Sequence, residues 1–212
     1  MSDSIPARRQ RRKEARPGEI IAAALAIFHA KGFAASKIED VARVAGVTKG
    51  TVYLYFSSKE ALFKAAIRET ILPNLDRIKE TALAETTARA QLYSAVRLWT
   101  AGMSTCRGST SKLMIAEAGN FPELAEFYRD EVSGRVRRML SDIIEYGIAQ
   151  NEFRPCDPAM LARILCGPIV LSNIWRHTFV DPHENQPDMD ALADSLLDVV
   201  LNGIVSHPKA PL

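Results

Sequence analysis

From Ile20 onward the apolar residues of this chain recur at three- and four-residue intervals, which gathers side chains on one face of a helix. No segment alternates in twos as a half-buried strand would. The pattern predicts an all-α chain. Ile20, Ile21, Ala24, Leu25 and Phe28 form the first stripe. Pro17 suits its first turn, and Gly32 after Lys31 suits its end. Ile38, Val41, Ala42 and Ala45 form the second, with Ser36 as N-cap and Glu39 completing a capping box. Ala45-Gly46-Val47 breaks the pattern, and Gly46 can adopt the left-handed backbone that a sharp helix-to-helix turn requires. Thr48 is the next N-cap, and Val52 and Phe56 give a short third helix one buried side. Its other side carries Lys49, Thr51, Tyr53 and Tyr55. Ser57 and Glu60 form a further capping box ahead of a fourth helix, which Pro73 should kink or end.

Residues 75–104 read as mostly helical, with Leu92, Val96, Trp99 and Met103 at helical spacing and a break at Arg107-Gly108-Ser109. A short helix over Leu113 to Ala118, a turn at Gly119 to Pro122 and a long helix from Glu123 to Gly147 follow. After a loop over Asn151 to Pro158 come two strongly apolar helices, Ala159–Phe179 and Met189–Val205, separated by the polar stretch VDPHENQPDMD. Both carry apolar residues on more than one face, which predicts burial on two sides. Pro168 should cost the first of them about 3 kcal/mol unless the kink is compensated. Such a kink would open space beside a pocket or shape a subunit contact.

The net charge of +2 becomes informative once divided. Residues 1–64 hold 12 Lys/Arg and 6 Asp/Glu, a net of +6, and residues 65–212 hold 15 and 19, a net of −4. A basic head on an acidic body suits a nucleic-acid binder. Arg8, Arg9, Arg11, Arg12, Lys13 and Arg16 face only Asp3 and Glu14 in the first sixteen residues, and Pro6 accompanies them without apolar periodicity. This predicts a basic flexible arm over 1–15: either a solvated tail, or a segment touching phosphates or a minor groove. Domains are expected at 16–62 for the head and 63–212 for the body.

No apolar run approaches a membrane span of about 18 residues, and no secretory signal is legible. Three widely spaced cysteines, Cys106, Cys156 and Cys166, suggest neither a disulfide framework nor a metal cluster, which fits a reducing cytoplasm. No nucleophile elbow, phosphate-binding glycine loop or dinucleotide fingerprint is present, so no enzymatic activity and no cofactor are expected. His177 and His183, with Asp181 between them, are only a weak metal hint.

Two short helices about a glycine turn make a helix-turn-helix, whose cationic, hydroxyl-rich second helix suits a major groove. The same pattern also fits a hairpin in an ordinary bundle. The residues themselves favour the first reading. IIAAALAIFHAKGFAAS, IEDVARVAGVTKGTVYLYF and SKEALF resemble the DNA-binding domain of the tetracycline-repressor (TetR) family of bacterial regulators. LMIAEAGNFPELAEFYRDEV resembles the body of an AcrR-like branch of that family.

The resemblance implies a homodimeric regulator, a repressor released by a small molecule, acting on double-stranded DNA at a roughly palindromic operator in the bacterial cytoplasm and nucleoid. An effector-independent architectural regulator, or an activator, on the same scaffold is the alternative. The fourth helix would join head to body, and its shift would change the separation of the two heads. The last two helices would form the dimer interface. The positions matching DNA contacts are Ser36, Thr48, Lys49, Gly50, Thr51, Tyr53, Tyr55 and Lys59. Lys49 can reach a guanine edge or a phosphate, Gly50 permits close approach, and Ser36 and Lys59 can clamp flanking phosphates. Val52 and Phe56 read as core, and Leu54 departs from the polar or aromatic residue usual at its position. In the body, Trp99, Met103, Met114, Phe127, Asn173, Trp175 and His177 are candidate effector-lining residues. Arg107, Glu117, Asn173 and Arg176 are candidate polar contacts. The body's acidity leans towards cationic or neutral amphiphiles.

Overall fold

The computed structural model describes residues 5–103, 109–179 and 188–204. Among these residues there are eleven α-helices and no strand. The head comprises α1 (Ile5–Lys31), α2 (Ile38–Val44) and α3 (Lys49–Tyr55). Phe28, Phe33 and Phe63 meet at its centre with ring centroids 5.3 to 5.7 Å apart, and all three are buried. The tilted and edge-on geometries suit the ring quadrupoles. Phe63 belongs to α4 (Lys59–Thr70), whose Leu62, Ala66 and Ile67 are also fully buried, so α4 is part of the head's core as well as the start of the body.

The body continues with α5 (Leu72–Leu83), α6 (Ala88–Met103), α7 (Ser109–Glu117) and α8 (Pro122–Tyr128). A π-helical turn over Arg129–Ser133 leads directly into α9 (Gly134–Ala149). The chain ends in α10 (Pro158–Thr178) and α11 (Met189–Ile204). Helix α6 packs against α5, α9 and α11, and α10 lies between α9, α7 and α11.

Several boundaries differ from the sequence pattern for identifiable reasons. Helix α1 runs back through Pro17 to Ile5, where a flexible arm is expected and Pro17 is expected in the first turn. Extending a formed helix adds one hydrogen bond per residue ordered, so the packed Ile20–Phe28 stripe can propagate upstream. The side chains of Arg8, Arg9, Arg11, Arg12 and Lys13 lie outside the described residues. Ser58, not Ser57, caps α4, its hydroxyl accepting the Ala61 N–H at 3.1 Å. Pro73 falls in the first turn of α5, where its missing N–H costs nothing, and α4 ends at Thr70. A turn at residues 84–87 divides α5 from α6. Glu152 caps α6 from the far side of the fold, its two oxygens accepting the N–H groups of Ala88 and Arg89 at 3.0 and 3.1 Å.

Close packing at this cap depends on Gly147. A Cβ there would run into the Phe153 ring and lie 2.9 Å from the Ala88 Cβ. Gly147→Ala should therefore destabilise the body by about 1–3 kcal/mol through overpacking. Thermal unfolding checks this, and an unchanged or raised Tm would show that Phe153 yields without cost.

Helix α10 is unbroken across Gly167-Pro168. It buries Ala162, Leu165, Ile169 and Asn173, while Met160, Ile164, Leu171 and Trp175 form an exposed apolar stripe that also takes in Pro168. Burial on two sides is thus not met within one chain. By length and composition α10 is long and apolar enough to cross a membrane, a test that the core helix of a soluble protein also passes. Arg163, Asn173 and Arg176 interrupt its apolar residues, so it contains no continuous apolar run of that length.

Candidate nucleic-acid interface and effector cavity

The turn between α2 and α3 sets the exposed surface of the head. Gly46 has φ +63°, the Val47 N–H reaches the Ala42 carbonyl at 2.9 Å and the Gly46 N–H reaches that of Arg43 at 3.3 Å. This paired arrangement satisfies the last carbonyls of α2 and turns the chain sharply. Thr48 then caps α3, its hydroxyl accepting the Thr51 N–H at 3.1 Å and lying 2.9 Å from the Thr51 hydroxyl. Val52 is fully buried and fixes the rotation of α3. Lys49, Gly50, Tyr53 and Leu54 consequently face outward together. A Cβ on Gly50 would meet only the Thr48 hydroxyl, at 3.8 Å, so no packing within the chain demands a glycine there.

Lys49 lies 2.6 Å from Glu39 of α2, and its ammonium is 5.8 Å from the centre of the Tyr53 ring. The hydrogen bond between the two raises the Lys49 pKa and is also the main cause that lowers that of Glu39. Both groups are therefore charged near neutrality, and an anion approaching this face would compete with Glu39 for Lys49. Glu39→Gln removes that competitor and one negative charge from the surface. It should tighten operator binding about three- to tenfold at low salt. Unchanged or weaker binding in an anisotropy titration would show that Glu39 assists the contact.

Three of the expected DNA-facing residues are placed differently. Ser36 is only 3% exposed, and its hydroxyl donates to the carbonyls of Gly32 and Ile27 at 2.5 and 3.3 Å. The N-cap position of α2 is taken by Lys37, without a side-chain cap, so the Ser36–Glu39 box does not form. Lys59 points back into the head, donating to the carbonyls of Phe33 at 2.8 Å, Ser36 at 3.1 Å and Ala34 at 3.3 Å, with its ammonium 4.4 Å above the Phe33 ring. It closes the α1–α2 loop and is not available as a phosphate clamp. Tyr55 is half-buried, packed on the core near Phe56, unlike Tyr53, which is 46% exposed. Leu54, not among the expected contacts because it departs from the residue usual at its position, is 74% exposed beside Tyr53. The helical wheel carried that signal, since residues 50, 53 and 54 share a face.

The body encloses a cavity of about 290 Å³ between α5, α6, α7, the α8–α9 segment and α10. Trp99 and Met103 line it, as expected. The other five candidates do not. Met114 is buried in the core, and Phe127 lies beneath Lys64 and Arg68 of α4. Asn173 is buried within the packing of α10, and Trp175 is exposed and stacked on Phe179 with centroids 4.6 Å apart. The His177 carbonyl accepts from Lys112. Burial, then Arg176 and Lys112, lowers the pKa of the His177 ring. Arg107 and His183 lie outside the described residues.

The cavity's polar groups come instead from Asn74, Ser111, Tyr128, Ser133 and Arg137. The Tyr128 hydroxyl is 2.9 Å from that of Ser111, and burial raises its pKa. Burial likewise pushes the Cys166 thiol up to about 11, so at neutral pH it is an uncharged lining group. These five polar residues come from different helical segments, and only their convergence in space marks them.

Two family models match the chain. "Bacterial regulatory proteins, tetR family" matches residues 20–66, and "Tetracyclin repressor-like, C-terminal domain" matches residues 84–200, more than half of the sequence. The chain belongs to the TetR family. Among its relatives is the fatty acid metabolism regulator protein of Bacillus subtilis, 25% identical over 198 residues that cover 91% of this chain and 98% of the relative. Two solved structures share the fold. A transcriptional regulator from Saccharomonospora viridis in complex with choline has a TM-score of 0.76 at 23% identity, covering 92% of this chain and all of that one. FadR from Bacillus subtilis in complex with stearoyl-CoA has a TM-score of 0.71 at 22% identity, covering 88% and 98%.

In this TetR-family regulator one short helix touches both regions. Ser111 and Ile115 of α7 line the cavity. Thr110 and Glu117 of the same helix hold the head. The Thr110 hydroxyl is 3.1 Å from His29 Nε2 of α1, and Glu117 accepts the Ala34 N–H at 2.9 Å. Burial, with His177 adding, keeps His29 below its ordinary pKa and favours the neutral ring. Phe121, just past α7, stacks edge-on to Phe33 at 4.8 Å.

Proposed function

We propose that this TetR-family transcriptional regulator is a cytoplasmic homodimeric repressor that binds a roughly palindromic operator and leaves it when a small molecule occupies the cavity. The observation that carries the reading is the double role of α7, whose neighbouring residues line the cavity and grip the end of α1 and the loop after it. A ligand that displaces Ser111 or Ile115 must also strain the contacts of Thr110 and Glu117. That is a physical reason for it to bind the two head positions with different affinity. Lys49, Gly50, Tyr53 and Leu54 meet the major groove, with Thr48 and Thr51 presenting hydroxyls and amides to phosphates at the start of α3. The exposed apolar stripe of α10, with Val199 of α11, supports self-association through the last two helices.

Anisotropy titration of labelled DNA from upstream of the protein's own gene, at several salt concentrations, tests the reading. Tight, sequence-selective binding is expected, with saturable loss on adding an effector. Swinging the population from 1:99 to 99:1 needs an effector that prefers the released state by about 10⁴-fold. Selective binding that no ligand for the cavity alters would instead identify an effector-independent regulator. Raised transcription from the bound site would identify an activator.

A further inference from the structure

The solved relatives were captured with a long-chain acyl thioester in one case and a small cation in the other, so likeness alone does not fix what enters this cavity. The lining does discriminate. It is mostly apolar, with Trp99, Met103, Val136 and Val170 among its walls, and it contains no acidic side chain. Its one formally charged group is Arg137 of α9. Among the described residues Arg137 makes no hydrogen bond or ion pair, although it is half-buried. The nearest acid in sequence, Asp142, is exposed and makes no salt bridge to it, and the two acids just upstream have other partners. Asp130 pairs with Arg129 at 2.8 Å, and Glu131 pairs with Arg135 at 2.9 Å. Arg135 also reaches Asp76, at 3.5 Å. Arg137 acts on Asp130 only at longer range, without a salt bridge, and a guanidinium held partly out of water with no carboxylate in contact is costly unless something supplies the anion.

We propose that the effector is an anionic amphiphile, with a short apolar chain filling the cavity and a carboxylate or phosphate on Arg137. The proposal rests on reading this cavity as the effector site. It reverses the lean towards cationic or neutral ligands that the body's bulk acidity suggests, because a ligand responds to the groups lining its pocket and not to net charge elsewhere. The volume admits about ten water-sized groups, which corresponds to a chain of about ten carbons. The π-helical turn before α9 contributes Val132 and Ser133 to the wall and so places functional groups beside Arg137, a common use of such turns.

Isothermal titration calorimetry on the full-length protein without DNA tests this with four probes of one chain length: decanoate, decyl phosphate, decanol and decyltrimethylammonium. At least one of the two anions should bind tenfold or more tighter than decanol, with the cation weakest. Arg137→Ala should remove that advantage and leave decanol within about twofold, while Arg137→Lys keeps part of it. The tighter of the two anions tells a carboxylate ligand from a phosphate one. Equal binding of decanol and both anions, anion binding that survives Arg137→Ala, or no binding of any probe would overturn the proposal. Thermal unfolding and operator binding of each variant guard against misfolding. Anion binding through Arg137 that leaves operator affinity untouched would keep this ligand class and sink effector-driven release instead.

Discussion

Lys49→Ala combined with Tyr53→Ala should weaken operator binding by a hundredfold or more while leaving the fold intact. Both side chains project from the exposed face of α3, and neither belongs to the buried head cluster around Phe28, Phe33 and Phe63. A lysine on a guanine edge and a tyrosine on a phosphate each carry roughly a tenfold effect, and sharing one ligand makes the combination severe. The single Lys49→Ala separates two modes of contact. If Lys49 reads a base, discrimination at one operator position relaxes. If it holds a phosphate, affinity falls uniformly and the salt dependence becomes shallower by about one counterion. Anisotropy across a salt series distinguishes them, and wild-type affinity in the double variant would remove this face of α3 from the interface.

The second large effect should come from the opposite end of the molecule. Leu171→Glu with Trp175→Glu is expected to convert the proposed dimer to a monomer and to lower operator affinity by about 10²- to 10⁴-fold. That is the effective-concentration advantage lost when two linked heads become one. Leu171 is 63% exposed in the single chain, so a carboxylate there does little to the protomer's own core. Across a two-fold axis it would meet its own copy in an apolar contact, where unpaired like charges are costly. Sedimentation equilibrium reports the mass directly. A variant that remains dimeric would place the interface elsewhere, and a wild type that is monomeric at micromolar concentration would end the dimer reading altogether.

Both predictions use residues whose placement was legible to different degrees. The head was largely readable because its determinants are local. Gly46 needed a left-handed turn, Thr48 and the neighbouring serine pair supplied caps, and Val52 fixed which side of a seven-residue helix faces inward. The family resemblance drew on that same stretch. Where the sequence reading erred in the head, a local preference lost to a distant partner. Ser36 had a capping option within three residues, but two carbonyls of α1 and its following loop took its hydroxyl. Lys59 had an exposed position at a helix start, but the carbonyls at the end of the α1–α2 loop and the Phe33 ring offered a better site for its ammonium.

In the body, periodicity placed the helices to within a few residues but could not say which faces meet. A helical stripe marks a side chain as inward without naming its neighbour, so Trp99 and Met114 look equivalent until the crossing of α6, α7 and α9 puts one beside the cavity and the other in the core. Arg137 gave no signal of its own among the arginines of α9. What the sequence by itself determined was the all-helical architecture, the helix-turn-helix and the chemistry of its exposed face, because capping and i, i+4 spacing act over a few residues. What only the tertiary structure decided was the diversion of Ser36 and Lys59, the composition of the cavity and the coupling of cavity to head through α7. Those depend on contacts between residues tens of positions apart, whose geometry is set by how whole helices pack.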